Sequence, residues 1–185
     1  SRLACARSFV TSFGRRAWRR PLEVAEVETL VTLFRRAGGA TNPGRGAEVV
    51  VTRLLVSAPF LFRIETGAAG DPRALTPWER ASRLSYLVWG SMPDDDLFDA
   101  AANGRLETDA DLAREVARMS GDARARGALN HFTDQWLTLI HMDRVERDPS
   151  AVSQFDQGAL AAMTKEARAF VVDVFATGDP RGLVH

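Results

Sequence analysis

Helix start and stop signals recur at short intervals along this chain, with apolar residues at helical spacing between them, and that punctuation leaves little room for strands. Thr76-Pro77-Trp78-Glu79 is the sharpest signal: a Thr N-cap, Pro at the first helical position and Glu three residues on make a capping box. The helix it opens is predicted to run to about Trp89. Leu3, Phe9, Val10 and Phe13 mark an earlier helical face. Pro21 starts a helix over about Leu22 to Ala37, and Gly38-Gly39 stops it. Residues 40–46 read as a loop, followed by a helix from about Ala47 to Ser57 that Pro59 breaks. Phe60-Leu61-Phe62-Arg63-Ile64 is an apolar run of unassigned state, expected to be buried. Further helices are predicted from Pro93 to Ala102, Thr108 to Met119, Asp122 to about Ile140 and about Asp156 to Thr177. No window of four or more residues alternates cleanly with β-branched enrichment. The chain is therefore expected to be all-α, an antiparallel array of about seven to eight helices in two packed subdomains.

Charge supports a division. Residues 1–63 hold 11 Arg against 4 Glu, net +7, leaving 13 basic and 20 acidic residues, net −7, for residues 64–185. Residues 66–74, rich in Gly and Ala with one Asp-Pro, fall near the sign change and read as a linker. The expected organisation is a basic subdomain over residues 1–65, a linker over 66–74 and an acidic subdomain over 75–185 truncated at its end. Either the two parts attract each other or a basic face awaits an acidic partner. Attraction within one chain is favoured, because it acts at a higher effective concentration. Overall neutrality argues against nucleic acid as a partner. No apolar run approaches the roughly 20 residues that a membrane span needs. With no initiator Met, the sequence reads as a piece of a longer polypeptide, so other modules of that polypeptide are the expected partners.

Candidate chemistry is thin. Asp95-Asp96-Leu97-Phe98-Asp99 contains the DDxxD arrangement by which all-helical prenyl-diphosphate and terpene enzymes hold magnesium, since carboxylates at i and i+4 share a helix face. The alternative is that Asp95, Asp96 and Asp99 follow Pro93 into a helix start, where the dipole favours acidic residues, and no second Asp-rich motif is present. Arg15, Arg16, Arg19 and Arg20 surround Trp18 and could form an anion-binding face; helix-end charge complementarity is the competing reading. His131 and His141 are ten residues apart, and on one straight helix they could not share a metal. His185 has no context. Cys5 is the only cysteine, so no internal disulfide, CxxC zinc pair or CxxCH haem attachment is possible. There is no GxSxG elbow, no SxxK pair, no phosphate loop, and Ser82 and Ser85 sit inside a helix with no nearby base. No cofactor or catalytic residue is expected. Trp78, Trp89, Met92, Met119, Phe132, Trp136, Met163, Phe170 and Phe175 fall on apolar helix faces and are expected in the core.

Several blocks together carry a resemblance: Phe13-Gly-Arg-Arg-Ala-Trp-Arg-Arg-Pro-Leu22, Leu54-Leu-Val-Ser-Ala-Pro-Phe-Leu-Phe-Arg-Ile-Glu65, Ala81-Ser-Arg-Leu-Ser-Tyr-Leu-Val-Trp-Gly-Ser-Met-Pro-Asp-Asp-Asp-Leu97, Gly104-Arg-Leu106 and Gln135-Trp-Leu137. In order and spacing the chain resembles the paired domains of unknown function in large modular secreted proteins of planctomycetes and myxobacteria, some of whose other modules are cytochrome-c-like. That resemblance implies an extracytoplasmic setting and recasts the Pro-Asp-Asp-Asp run as a structural feature. It also implies that Cys5 could pair with a cysteine upstream. It supplies no catalytic residue. The expectation is a helical structural or interaction module of a larger multidomain protein, associated with haem-containing redox modules elsewhere. Two alternatives stand beside it: an enzyme domain whose active site forms with neighbouring modules, and acidic-polymer binding through the Arg15–Arg20 face.

Overall fold

Local capping chemistry sets most element boundaries. In the computed structural model, which describes residues 2–67, 70–71, 74–144 and 157–178, Thr76 Oγ1 accepts the Glu79 amide at 3.2 Å and Glu79 Oε2 accepts the Thr76 amide at 2.8 Å. The capping box is formed as predicted. The same device recurs at Thr108, whose Oγ1 accepts from the Asp111 amide at 3.1 Å. The helices are α1 Arg2–Trp18, α2 Val24–Arg36, α3 Pro43–Leu55, α4 Ala58–Leu61, α5 Pro77–Trp89, α6 Asp95–Ala102, α7 Asp109–Ser120, α8 Ala123–Trp136 and α9 Gln157–Thr177, with a 3-10 helix over Leu139–Arg144. No strand occurs among the described residues, and the fold is all-α.

Three elements differ from expectation, each for a local reason. Residues 43–46 are helical, because Asn42 Oδ1 accepts the Arg45 amide at 3.1 Å and Pro43 occupies a position whose missing N–H is harmless. The helix after Asp122 stops at Trp136, and Thr138 turns left-handed at φ 58°, so His131 and His141 lie on different elements. The apolar run 60–64 is not buried: Leu61, Phe62 and Ile64 are 60%, 62% and 53% exposed. Four residues of α4 make too short a helix to turn these side chains onto a core. His185 lies outside the described residues, as do 68–69 and 72–73 of the expected linker.

By contact, the chain divides into Ser1–Leu87 with Ser91–Val116, and Val88–Gly90 with Ala117–His185. Helices from the acidic half join the basic half in the first unit because specific polar contacts tie them there: Arg15 to Asp95 at 2.8 Å, Arg83 to Glu65, and Glu79 to the amides of Thr66 and Gly67. The core of this unit is built from Val10 of α1, Leu30 and Phe34 of α2, and Val50 and Leu54 of α3. Gly46 lets α3 approach closely, since a Cβ there would lie 2.7 Å from the Gly39 Cα and from the Phe34 ring. Leu97, Phe98 and Leu106 are fully buried in the same unit.

In the second unit, Trp89 is buried, donates from Nε1 to the Met119 carbonyl at 2.9 Å, and has the Arg124 guanidinium 3.5 Å from its ring centre. Arg168 of α9 forms a fork to Asp134 of α8 with contacts of 2.7 and 2.8 Å, and Leu160, Val171 and Val174 make a buried stripe along α9. The flanks of that stripe are open. Phe132, Trp136, Met163, Phe170 and Phe175 are all about half exposed, contrary to the core role expected of them. Two helices facing one another bury only one side each.

Candidate functional site

An open groove in the first unit lies between the segment after α4 and one face of α5, lined in part by Trp18, Arg20, Arg63, Glu79, Arg83 and Tyr86. Its floor begins with a backbone irregularity. α1 ends at Trp18, and Arg19 takes φ 58°, the left-handed conformation that Gly usually supplies after a helix. That turn buries the Arg19 side chain to 6% exposure. Its guanidinium donates to the carbonyls of Pro59 and Phe62, the latter at 3.0 Å, with longer contacts to Ala17 and Phe60. The carbonyls of residues 59–62 cluster at and beyond the C-terminal end of α4, where a cation is favoured.

Glu79 forms one wall. Its Oε1 accepts from the Thr66 amide at 2.6 Å and the Gly67 amide at 3.3 Å, while Oε2 serves the capping box. Burial pushes this carboxyl up, but the donated bonds from Thr76, Thr66 and Gly67 outweigh it and leave the pKa lowered. Arg83 is forked onto Glu65, and that hydrogen bond raises its pKa. Arg20 is forked onto Glu26 at 2.8 and 2.9 Å, which raises the arginine and lowers the glutamate. Above the groove stands Tyr86, the only tyrosine of the chain, with Arg63 4.5 Å and Arg19 5.8 Å from its ring centre. Each of these shifts favours the charged form.

The four arginines read as one face are therefore dispersed. Arg19 and Arg20 lie beyond the end of α1; Arg19 caps carbonyls, Arg20 pairs with Glu26, and Arg15 pairs with Asp95 while lying 4.8 Å from the Phe98 ring centre. Arg16 is exposed and has no hydrogen-bond or ion-pair partner among the described residues. In the aspartate run, Asp94 caps α6 by accepting the Leu97 amide at 2.9 Å, Asp95 engages Arg15, and Asp96 and Asp99 follow in the helix. Among the described residues no group of three His, Cys, Asp or Glu converges as metal ligands would. Cys5 is exposed. His131 lies 3.0 Å from the Gln135 amide nitrogen.

Sequence reasoning missed Arg63 and Tyr86 as a pair. The available signal was one arginine inside an otherwise apolar run, a position where a charge must either reach solvent or find a partner.

Outside the groove, Asp122 has the largest shift. The Arg124 side chain, then the Arg124 amide at 2.8 Å, hold its carboxyl down at about 2 from an ordinary 3.8. Because the folded value is depressed, the contact contributes fully above the ordinary range and is lost as pH falls from 3.8 toward about 2. A carboxyl-detected NMR titration should give a midpoint near 2 for Asp122. In Arg124→Ala that midpoint should rise toward 3.8 without reaching it, because the amide donor remains. An unchanged midpoint would contradict the assignment.

No helix among the described residues is long and apolar enough to cross a membrane. Residues 75–181 match the model of a family described as Protein of unknown function (DUF1592), and residues 5–65 match one described as Protein of unknown function (DUF1595). No curated protein and no solved structure matches the chain.

Proposed function

The chain belongs to the family described as Protein of unknown function (DUF1592), and on that premise we propose that it is a helical interaction module of a larger extracytoplasmic polypeptide, serving haem-containing redox modules outside this segment. One observation carries the reading. Glu79, Arg20 and Arg83 of the groove are held in their charged forms by partners inside the chain, while Phe62, Ile64 and Leu87 stand 62%, 53% and 78% exposed around it. A general acid or base needs a pKa poised near the working pH, and a carboxylate locked by amide donors is a poor one. Exposed aromatic and aliphatic side chains beside satisfied charges suit contact with another protein surface.

The extracytoplasmic setting and the haem association rest on the family resemblance, and the paired matches to residues 5–65 and 75–181 agree with its two-domain arrangement. Hydroxyl-radical labelling tests the module reading. Phe60, Phe62 and Trp136 should label strongly in the 185-residue chain and much less within the longer polypeptide. Equal labelling in both would remove the proposal.

A further inference from the structure

Resting on that interaction reading, and specifying its site and partner, we infer that Arg63 is the receptor for a carboxylate carried on an apolar peptide segment, bound in the groove between residues 59–66 and α5. Among the described residues, Arg63 meets no hydrogen-bond acceptor; its guanidinium lies over the Tyr86 ring at 4.5 Å. A guanidinium packed on an aromatic ring keeps its in-plane N–H fork free, which is the geometry that receives a carboxylate with two parallel bonds. The stacking also limits the motion of a long side chain before a ligand arrives, so less entropy is lost on binding.

The rest of the groove leaves Arg63 as the group with donors to spare. Arg20 is paired with Glu26, Arg83 with Glu65, and Glu79 with main-chain amides. Arg20 and Arg83 are thus neutralised by carboxylates and Arg19 is satisfied by main-chain carbonyls, which leaves Arg63 as the lining cation without an acceptor among the described residues. Complementarity therefore calls for a single negative charge. Phe62, Ile64 and Leu87, exposed close to that charge in the chain or on the groove wall, call for apolar groups around it.

Other ligand classes fit less well. A saccharide or a nucleobase would stack on ring faces, but the rings of Tyr86 and Trp18 already carry guanidinium groups, Arg20 lying 5.4 Å from Trp18. A polyanion gains affinity by neutralising many phosphates, and one unspent cation gives it little.

Two fluorescein-labelled octapeptide pools test the inference on the whole chain. Both are acetylated and amidated, with Leu and Phe flanking a central Glu in one pool and a central Gln in the other. The Glu pool should bind about tenfold more tightly, the advantage of one charge-assisted fork. Arg63→Gln should reduce the Glu pool to the level of the Gln pool, Arg63→Lys should fall between, and Leu87→Ser should weaken both pools alike. Arg63 is exposed, so the variant should keep its urea midpoint. If it did not, the Glu-to-Gln ratio on the unaltered chain would still decide. Equal affinity for the two pools, no effect of Arg63→Gln on a folded chain, or no binding of either pool overturns the inference. Protection of Phe60 and Trp136 from radical labelling in the longer polypeptide, without Arg63-dependent peptide binding, would overturn this site while leaving the module reading standing.

Discussion

Arg19→Ala should destabilise the first unit by about 3 kcal/mol, read as a lower urea midpoint with an unchanged slope. The cost comes from the lost bonds: the Pro59 and Phe62 carbonyls lose their charged donor in part-buried contacts, and a hydrogen bond to a charged group contributes about 1.5–3 kcal/mol. The left-handed backbone at φ 58°, where a Cβ is disfavoured, is common to arginine and alanine. Arg19→Gly separates bonds from backbone: it should recover about 1 kcal/mol of backbone strain while still losing the donors. Arg19→Lys keeps the charge but not the fork, and should rank between the parent and Ala. If Gly proved worse than Ala, the left-handed assignment would be wrong. If Lys matched the parent, charge at the end of α4, rather than the fork geometry, would be the cause.

The second large effect is expected at Glu79. One carboxylate there accepts from the amides of Thr66, Gly67 and Thr76 and from two threonine hydroxyls, so it both starts α5 and fastens the preceding segment to it. Glu79→Ala should cost about 2 kcal/mol, a figure set by the loss of a cap plus charge-assisted bonds and discounted for solvent at a partly exposed site. Glu79→Gln should recover less than half, because the amide group keeps only one oxygen acceptor. The pH dependence has a definite sign. A carboxyl with a lowered folded pKa contributes above the ordinary carboxylate range, and the contribution disappears as pH drops through the folded value. Acid unfolding of the parent between the two values should therefore be steeper than that of Glu79→Gln, whose side chain does not titrate. Identical acid profiles would show that Glu79 is not part of the transition.

Elements with their own chemistry in the local sequence were legible before any coordinates. Thr76-Pro77-Trp78-Glu79 contains both halves of a capping box within four residues, and nothing distant is needed to form it. Asp94 is similar: its carboxylate finds the Leu97 amide three residues on. Asn42-Pro43 was equally available and was hidden by Gly38, Gly39, Gly44 and Gly46 and the loop-like composition around it, although residue 46 is glycine within a helix because Phe34 and Gly39 leave no room for a Cβ. Non-local features could not be read. Nothing near Arg19 specifies that its side chain ends at carbonyls 40 or more residues away. The end of α8 at Trp136 involves Thr138 adopting a conformation that threonine rarely takes, so propensity predicted the opposite. Exposure failed for a related reason. An amphipathic pattern says which side of a helix is apolar, but Phe132, Trp136 and Phe170 show that the apolar side can be wider than its partner. Of the groove, sequence pointed to Arg19 and Arg20 only as parts of a charged face, and to Glu79 only as a cap.

Trp89 has a consequence in optical terms. A buried indole hydrogen-bonded to a carbonyl, with Arg118 and Arg124 near its ring, sits in an electric field that differs strongly from water. Its emission should therefore be displaced from that of half-exposed Trp136, giving the second unit a chromophore of its own. With Trp18, Trp78 and Trp136 replaced by Phe, the colour of the remaining fluorescence would report whether residues 117–136 keep their packing as conditions change elsewhere in the chain.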